Sequence, residues 1–397
     1  MLTPHTILQR VPNVQLTIDS TNVVQLIIGG QSLDCGPHAL AVLEAFAQPA
    51  SFEEVLVGFK VRGAQQWMDV AGAIVNLYKA GVLRDCAHAA MPAEAKGFGS
   101  VPVQVAMLND RRRTAAFVAG VAEVVRAGDV VVDIGTGMGV LAVAAAKAGA
   151  AHVYAIESGA MAAVARDVFA MNGVADRITV VQGWSTEVEL PMRADVLVSE
   201  IIGDDPWGER VLEITRDAHK RLLKPAARMV PAAMQVFGLP VALPHTEWVS
   251  RTVTAETLEN WHHWYGMDFR PLADMARQIV SPQWYVKSSV ALGWSILSEP
   301  VLLADIDFKN PDKATFDRSV SVTAIAGGEC NGLLVYFDLT LSAATALSTH
   351  PTYTDTSNWR SPVFLFGEPL RVKAGDRFMI HYQSGVKGRQ SEARLSR

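Results

Sequence analysis

The stretch Val130-Val-Val-Asp-Ile-Gly-Thr-Gly-Met-Gly139 joins a short apolar run to three glycines at alternate positions. An apolar run without polar alternation is typical of a strand that is covered on both faces of a parallel sheet. Gly135, Gly137 and Gly139 would let the backbone pass close to a ligand and turn sharply into a helix. The stretch therefore predicts the first strand, ligand-binding turn and helix of a nucleotide-binding sheet.

Apolar runs alternate with alanine-rich segments through the middle of the chain. Besides residues 130–134, the apolar runs are 153–156, 178–181 and 196–198, and the helix-forming segments between them are 141–148 and 161–171. Such alternation is typical of a doubly wound parallel sheet. We therefore expect an α/β, Rossmann-like domain over residues 91–231.

Acidic residues near the glycines indicate which ligand the turn would hold. Glu157 follows the second apolar run, where its carboxylate would accept both hydroxyls of a ribose. Asp133 precedes the first glycine and suits an ammonium better than a pyrophosphate, and the run 107–114 offers arginines for a carboxylate. These features favour S-adenosylmethionine over a dinucleotide. The arginine run has the alternative of a solvated basic helix face.

Residues 200–209, here called the acidic loop, carry four carboxylates. Glu200 directly follows the fourth apolar run, at the edge of the sheet where ligands of such folds bind. Glu200 and Glu209 would grip a guanidinium bidentately and leave one nitrogen facing an electrophile. Asp204 and Asp205 are predicted to be solvated or helix-capping side chains. Ordinary solvent exposure is the alternative for the whole loop.

The first ninety residues have a different pattern. They contain two β-like runs with a turn between them, followed by three helix-like segments: 14–18, 23–28, 19–22, 38–46, 51–56 and 69–83. Ser51 and Glu54 have the spacing of a capping box. We expect a small winged-helix-like α+β module over residues 1–90. Between residues 30 and 90 four basic residues face six acidic ones, so binding to nucleic acid is not expected.

Residues 232–397 are rich in short β-like runs separated by Gly and Pro, which is typical of a β-barrel or sandwich. The predicted strands include residues 236–241, 290–294, 333–341 and 378–382. An insert at 254–276 is predicted to be helical.

Composition limits the remaining classes. The net charge of −5 gives no field that would gather nucleic acid or an anionic membrane. No apolar run approaches 18 residues, and the first ten residues lack the order of a signal peptide. Cys35, Cys86 and Cys330 are widely spaced and form no metal-binding pattern. These features predict a soluble cytoplasmic protein without a structural metal.

The motifs together resemble the protein arginine methyltransferase family of S-adenosylmethionine-dependent enzymes over residues 104–385. The first motif corresponds to residues 133–139, the second to Ala155-Ile-Glu157, and the adenine loop to Gly183-Trp-Ser-Thr-Glu-Val-Glu-Leu-Pro191. The double-glutamate loop of the family matches residues 199–209 at its usual spacing, and this is the most specific element of the resemblance.

The resemblance implies roles for further residues. It assigns Arg113 to the carboxylate of the donor, Met107 to the neighbourhood of the sulfonium, and Ser185 and Thr186 to the adenine. It also implies an arginine-containing protein or peptide as the substrate. A homodimer is implied as well, formed through an arm of which Trp261-His-His-Trp-Tyr-Gly-Met-Asp-Phe269 resembles a part.

Two departures from the family pattern concern the acceptor side. The third active-site loop of the family carries Thr-His-Trp, and here the segment reads Thr356-Ser357-Asn358-Trp359, so Asn358 and Trp359 become the candidate substrate-binding residues. Gln104 stands where the family usually has a histidine. Another acceptor, such as an amine, amide or small guanidine, therefore stays open, and Trp359 has the alternative of a core position.

The order of elements in residues 12–85 resembles PqqD-like domains, which hold the leader peptides of ribosomally made natural products. Such domains pair a peptide strand with the edge of their hairpin. This resemblance predicts a precursor peptide as the partner. The alternative is a winged-helix regulatory protein that carries a vestigial methyltransferase domain.

Overall fold

The computed structural model describes residues 5–11, 15–18, 24–28, 31–34, 38–59, 63–85, 97–276, 283–311, 317–353, 358–384 and 391–397. The chain divides into two compact units, Met1–Lys96 and Gly97–Arg397. Among the described residues, no helix combines the length and the apolar character that crossing a membrane requires.

The first unit contains two small antiparallel sheets and three helices. Its elements are β1 (Ile7–Arg10), β2 (Gln15–Ile18), β3 (Val24–Ile28), β4 (Gln31–Asp34), α1 (Ala39–Ala45), β5 (Ala50–Ser51), α2 (Phe52–Gly58), α3 (Ala64–Lys79) and β6 (Leu83–Asp85). One sheet has the order β5-β1-β6 and the other the order β2-β3-β4. Leu8, Phe46, Ile74 and Leu77 are completely buried in the core of this unit.

Local sequence explains several elements of the first unit. The predicted hairpin strands pair antiparallel, with Leu16 opposite Leu26, whereas the predicted turn 19–22 lies outside the described residues. Ser51 caps α2, and the Glu54 side chain accepts a hydrogen bond from the Ser51 backbone N–H in the reciprocal arrangement that the sequence predicted. The three predicted helices are present, although α3 begins five residues earlier than predicted.

The second unit begins with an α/β half. After a 3-10 turn at Gly97–Gly99 come α4 (Val101–Asn109), α5 (Arg111–Val124), β7 (Val130–Ile134), α6 (Val140–Lys147), β8 (His152–Glu157), α7 (Met161–Met171), β9 (Ile178–Gln182), β10 (Ala194–Ser199), α8 (Val211–Arg221) and β11 (Leu223–Val230). The five strands form one parallel sheet in the order β11-β10-β7-β8-β9. The predicted doubly wound sheet is confirmed.

The β-rich half of the second unit follows. Its elements are β12 (Ala233–Ala242), α9 (His245–Val249), α10 (Ala255–Tyr265), α11 (Arg270–Ala276), β13 (Gln283–Val286), α12 (Ser288–Ala291), β14 (Ser295–Ile296), β15 (Val301–Asp307), β16 (Asp317–Thr323), β17 (Gly328–Thr340), β18 (Ala346–Ser348), β19 (Ser361–Val372), β20 (Arg377–Gln383) and β21 (Glu392–Ser396). The larger sheet runs β13-β19-β17-β12-β14, and a three-stranded sheet runs β16-β20-β21. One core cluster includes side chains of both halves, such as Phe117 and Leu341.

The predicted strand at residues 290–294 is wrong. This segment contains the end of the short helix α12 and a turn. Ala291 and Trp294, three positions apart, are buried, whereas Val290 and Leu292 are about half exposed. Burial at a spacing of three is helical, and five apolar residues are too few to distinguish a helix from a strand by period. The helical prediction for residues 254–276 agrees with α10 and α11.

Candidate functional site

The candidate site lies where the strand order of the parallel sheet reverses. The chain proceeds outward from β7 through β8 to β9 and returns to β10, on the other side of β7. Ser199, the last residue of β10, is opposite Ile134, the last residue of β7. The glycine-rich turn and the acidic loop therefore leave neighbouring strand ends, and a Cβ atom added to Gly135 would lie 2.7 Å from Ile201 Cγ2. This reversal point is where open α/β sheets bind ligands.

The three glycines of the turn have positive φ angles. The angles are 74° at Gly135, 53° at Gly137 and 88° at Gly139, a region that L side chains rarely adopt. A Cβ atom at Gly139 would also lie 2.2 Å from the ring of Phe169. Conformation and space both favour glycine here, and the backbone stays open to a ligand.

Asp133 is a buried carboxylate at the end of β7. Its Oδ2 atom accepts a hydrogen bond of 2.6 Å from the Thr136 hydroxyl, whereas its buried Oδ1 atom has no hydrogen-bond partner in the described part of the chain. Burial raises the pKa of Asp133 to about 7. An unpartnered buried acceptor beside the glycine turn fits the ammonium group of S-adenosylmethionine.

Glu157 and the loop after β9 lie beside the same turn. The Glu157 carboxylate accepts hydrogen bonds from the backbone N–H of Gly137 (2.9 Å) and of Gly159 (2.6 Å). Gly183 N–H donates to the Glu157 carbonyl, which brings the segment of Ser185 and Thr186 next to the end of β8. Ser185 is buried and Thr186 is exposed, and no hydrogen bond within the described residues joins their side chains to the other candidate residues.

Arg113 connects the donor side of the site to the acidic loop. Its guanidinium, 8% exposed, forms an ion pair of 2.5 Å with Glu200 and donates to the Met107 carbonyl at 3.0 Å. The same group lies 5.5 Å from the centre of the Trp359 ring. Asp110 caps α5 through Arg113 N–H, which fixes the start of the helix. The buried position excludes the alternative of a solvated face for Arg113.

Gln104 is a neighbour of the glycine turn that the sequence did not assign to the site. It is buried on α4, its side-chain amide donates to the Phe98 carbonyl, and its Oε1 atom would lie 3.5 Å from a Cβ added to Gly137. Gln104 precedes Met107 by three positions, so the two residues share a helix face. That spacing was the available signal for its place in the site.

The two glutamates of the acidic loop are both sheltered from solvent. The Glu200 side chain is 15% exposed. Glu209 folds back toward Gly203, and no hydrogen bond or ion pair to its carboxylate is present within the described ranges. Burial raises the pKa of Glu200, with partial compensation from Arg113, and burial together with Glu200 and Asp204 raises the pKa of Glu209 to about 7.

The candidate substrate-binding residues contact the acidic loop and the start of α5. Trp359 is buried against Phe337, and its indole N–H donates to the Ile202 carbonyl at 2.6 Å. Asn358 N–H donates to the Asp110 carboxylate at 2.6 Å. Thr356 and Ser357 lie outside the described residues. The core position and the contact with the loop therefore apply to Trp359 together.

The two aspartates of the acidic loop have different surroundings. Asp205 accepts a hydrogen bond from Trp207 N–H and closes a local turn, as predicted for a capping residue. Asp204 is paired with Arg360, so the predicted solvated or capping role is wrong for this residue.

Family models and known proteins resemble the second unit. Residues 244–395 match a model of the arginine methyltransferase oligomerization subdomain, and residues 112–230 match a model of the ribosomal protein L11 methyltransferase. A probable histone-arginine methyltransferase 1.3 of Arabidopsis thaliana is 34% identical over 70% of this chain and 52% of its own length. This chain thus spans about half the length of several curated relatives that it matches.

Two further relatives are covered more completely. An arginine N(omega)-methyltransferase of Streptomyces achromogenes subsp. streptozoticus is 33% identical over 69% of this chain and 74% of its own length. The structure of a Trypanosoma brucei PRMT1 enzyme-prozyme heterotetrameric complex with AdoHcy covers 75% of this chain and 93% of that one, with 25% identity and a TM-score of 0.64. Arabidopsis thaliana protein arginine methyltransferase 10, at 21% identity and a TM-score of 0.61, has the same fold. The chain therefore belongs to the protein arginine methyltransferase family.

Proposed function

We propose that the protein transfers a methyl group from S-adenosylmethionine to the guanidinium of an arginine in a protein or peptide. One observation carries the proposal: Glu200 already binds a guanidinium, that of Arg113, beside the second sheltered carboxylate of Glu209. Both lie at the strand ends next to the glycine-rich turn, where this fold binds its ligands. A cationic planar acceptor matches this arrangement.

The donor side of the site uses residues that the structure brings together around the turn. We propose that Asp133 meets the ammonium, Arg113 the carboxylate, and Glu157 the ribose of the donor. Gly135, Gly137 and Gly139 would supply the open backbone, with Met107 nearby, and Ser185 and Thr186 would lie at the adenine. When bound, S-adenosylmethionine supplies an electrophilic methyl group on a sulfonium.

The acceptor side would position the substrate rather than activate it strongly. Glu200 and Glu209 would hold the guanidinium by charge-assisted hydrogen bonds and leave one terminal nitrogen facing the donor, with Asn358 and Trp359 near the substrate. A proton leaves the product, and Glu209, Asp204 or water would accept it. A carboxylate whose pKa is about 7 is suited to that transfer at neutral pH.

The proposal is tested with a radiolabelled methyl donor and three acceptors: an arginine-containing protein, a short arginine peptide and free arginine. We expect label in methylarginine after hydrolysis of the protein or peptide. Label only on free arginine would replace the protein substrate by a small guanidine, and label on another amino acid would contradict the proposal. Donor binding without turnover on any acceptor would favour a regulatory protein.

We infer that the first unit is a winged-helix-like, PqqD-like module that binds a peptide. The sheet β2-β3-β4 supports this, because β2 and β4 are edge strands to which an extended peptide could add. Pull-down of the full chain with the precursor peptide encoded by a neighbouring gene would test it. Retention on a specific DNA instead of the peptide would contradict it.

We further propose that the protein is a homodimer formed through the helical arm of α10 and α11. The match to an oligomerization subdomain supports the proposal, as do exposed apolar residues on the arm, among them Trp264, Tyr265 and Met275. Sedimentation at micromolar concentration should show a dimer. A monomer under those conditions would contradict the arm's assigned role.

A further inference from the structure

The acidic loop is fastened in its middle to the start of β19. Arg360 donates to Asp204 through its backbone N–H (2.7 Å) and through its guanidinium Nε (2.8 Å), and its Nη2 atom lies 2.7 Å from the same carboxylate. Both oxygens of Asp204 are therefore engaged. The indole N–H of the preceding residue, Trp359, bonds the carbonyl of Ile202 in the same loop. Residues 156 positions apart in sequence thus fix the loop between its two glutamates.

The charges around the loop are compensated unequally. Glu200 is paired with Arg113 and Asp204 with Arg360, whereas no cation of the described residues is paired with Glu209. The charged groups that act on Glu209 are Glu200 at the end of β10, Asp204 within the loop and Arg113 on α5, and they agree with this arrangement. Without Arg360, the full charge of Asp204 would act on Glu209.

Arg360 is held in place on its other side as well. Its guanidinium carbon lies 5.5 Å from the centre of the Tyr285 ring, on the strand β13 that pairs with β19. Asp204 and Arg360 have opposite effects on the pKa of Tyr285, which burial raises foremost. The position of Arg360 is therefore set by the barrel and not by Asp204 alone, although its side chain is 52% exposed.

We propose that Arg360 and Asp204 form a positioning pair that holds the acidic loop and shields Glu209 from the charge of Asp204. The inference rests on the proposed function only for the role of Glu209 in the reaction. Neither residue of the pair is assigned to the reacting atoms. Both act through Glu209.

The pair makes an unusual prediction, because its two members should move Glu209 in opposite directions. Arg360→Gln leaves Asp204 uncompensated, so the pKa of Glu209 should rise by about 0.5 to 1 unit. Asp204→Asn removes the repelling charge, so the pKa of Glu209 should fall by a similar amount. A pair that served only to hold the loop would impair both variants without this opposition.

The measurement is a carboxyl NMR titration of donor-free full-length protein labelled with ¹³C-glutamate, in which Glu209→Gln identifies the Glu209 signal. Arg360→Lys keeps the charge and should titrate close to the wild type, which covers the case in which Arg360→Gln does not fold. Arg371→Gln is the matched control, because Arg371 pairs with Glu329 on the exposed end of the same strand. Shifts in the same direction for Arg360→Gln and Asp204→Asn, or no shift in either, would overturn the proposal.

The pH dependence of methyl transfer supplies the second readout. The acidic limb of the profile should move to higher pH in Arg360→Gln and to lower pH in Asp204→Asn. Because the NMR titration needs no donor and no turnover, the two proposals can fail separately. Absence of methylarginine with opposite Glu209 shifts would refute the function alone, whereas active enzyme without opposite shifts would refute the positioning pair alone.

Discussion

Glu200→Gln is expected to lower the rate of methyl transfer to arginine by about 10²- to 10³-fold, the range observed when one preorganised charge-stabilising group is removed from an active site. The variant loses half of the clamp for the cationic acceptor. It also leaves the buried Arg113 guanidinium without its 2.5 Å partner. Loss of one member of a buried pair costs about 3 to 5 kcal/mol, so a lower free energy of unfolding should accompany the loss of activity.

Two controls separate these effects for Glu200→Gln. Donor binding measured by calorimetry shows whether the donor site survives, and Glu329→Gln makes the same chemical change in an exposed pair of the barrel. We expect the control to keep full activity because exposed pairs contribute about 0 to 1 kcal/mol. Unimpaired transfer by Glu200→Gln would refute the role given to this residue.

Raising the pH from 5 to 8 is expected to stabilise the reaction and destabilise the fold. Burial raises the folded-state pKa of both Asp133 and Glu209 to about 7, above the ordinary carboxyl value. The folded state therefore binds more protons than the unfolded state between about pH 4 and pH 7, and stability falls as the pH rises through that window. Methyl transfer changes in the opposite direction, because ionised carboxylates are needed to hold a cationic acceptor.

Asp133→Asn tests the stability half of this prediction. The substitution should remove about 1 kcal/mol per pH unit from the slope of unfolding free energy between pH 5 and 7. Urea unfolding of the donor-free protein at several pH values measures the slope, and Asp317→Asn on the exposed face of β16 is the control. A slope that Asp133→Asn leaves unchanged would show that Asp133 is already ionised in the fold.

Strand ends could be predicted from the sequence because the buried strands are continuous apolar runs. Residues 130–134 coincide with β7, and Glu200 follows β10 directly, so its place at the edge of the sheet was available from the spacing alone. The reversal of strand order next to β7 then brings the acidic loop to the glycine turn. Such features are local or follow from the rules of α/β topology.

Contacts between distant residues could not be predicted in the same way. Arg113 meets Glu200 across 87 positions, and Arg360 meets Asp204 across 156. Neither pair has a periodic or spacing signal, since each depends on how the barrel half packs on the sheet. The same reason explains why Gln104 and Arg360 were not assigned to the site. The roles of all site residues stay predictions.

The clamp itself is tested most directly by a crystal structure of the full chain with S-adenosylhomocysteine and an arginine peptide. The account predicts guanidinium nitrogens about 3 Å from the carboxylates of both Glu200 and Glu209. One terminal nitrogen should face the donor sulfur. An arginine bound elsewhere, with the two glutamates turned toward solvent, would contradict it.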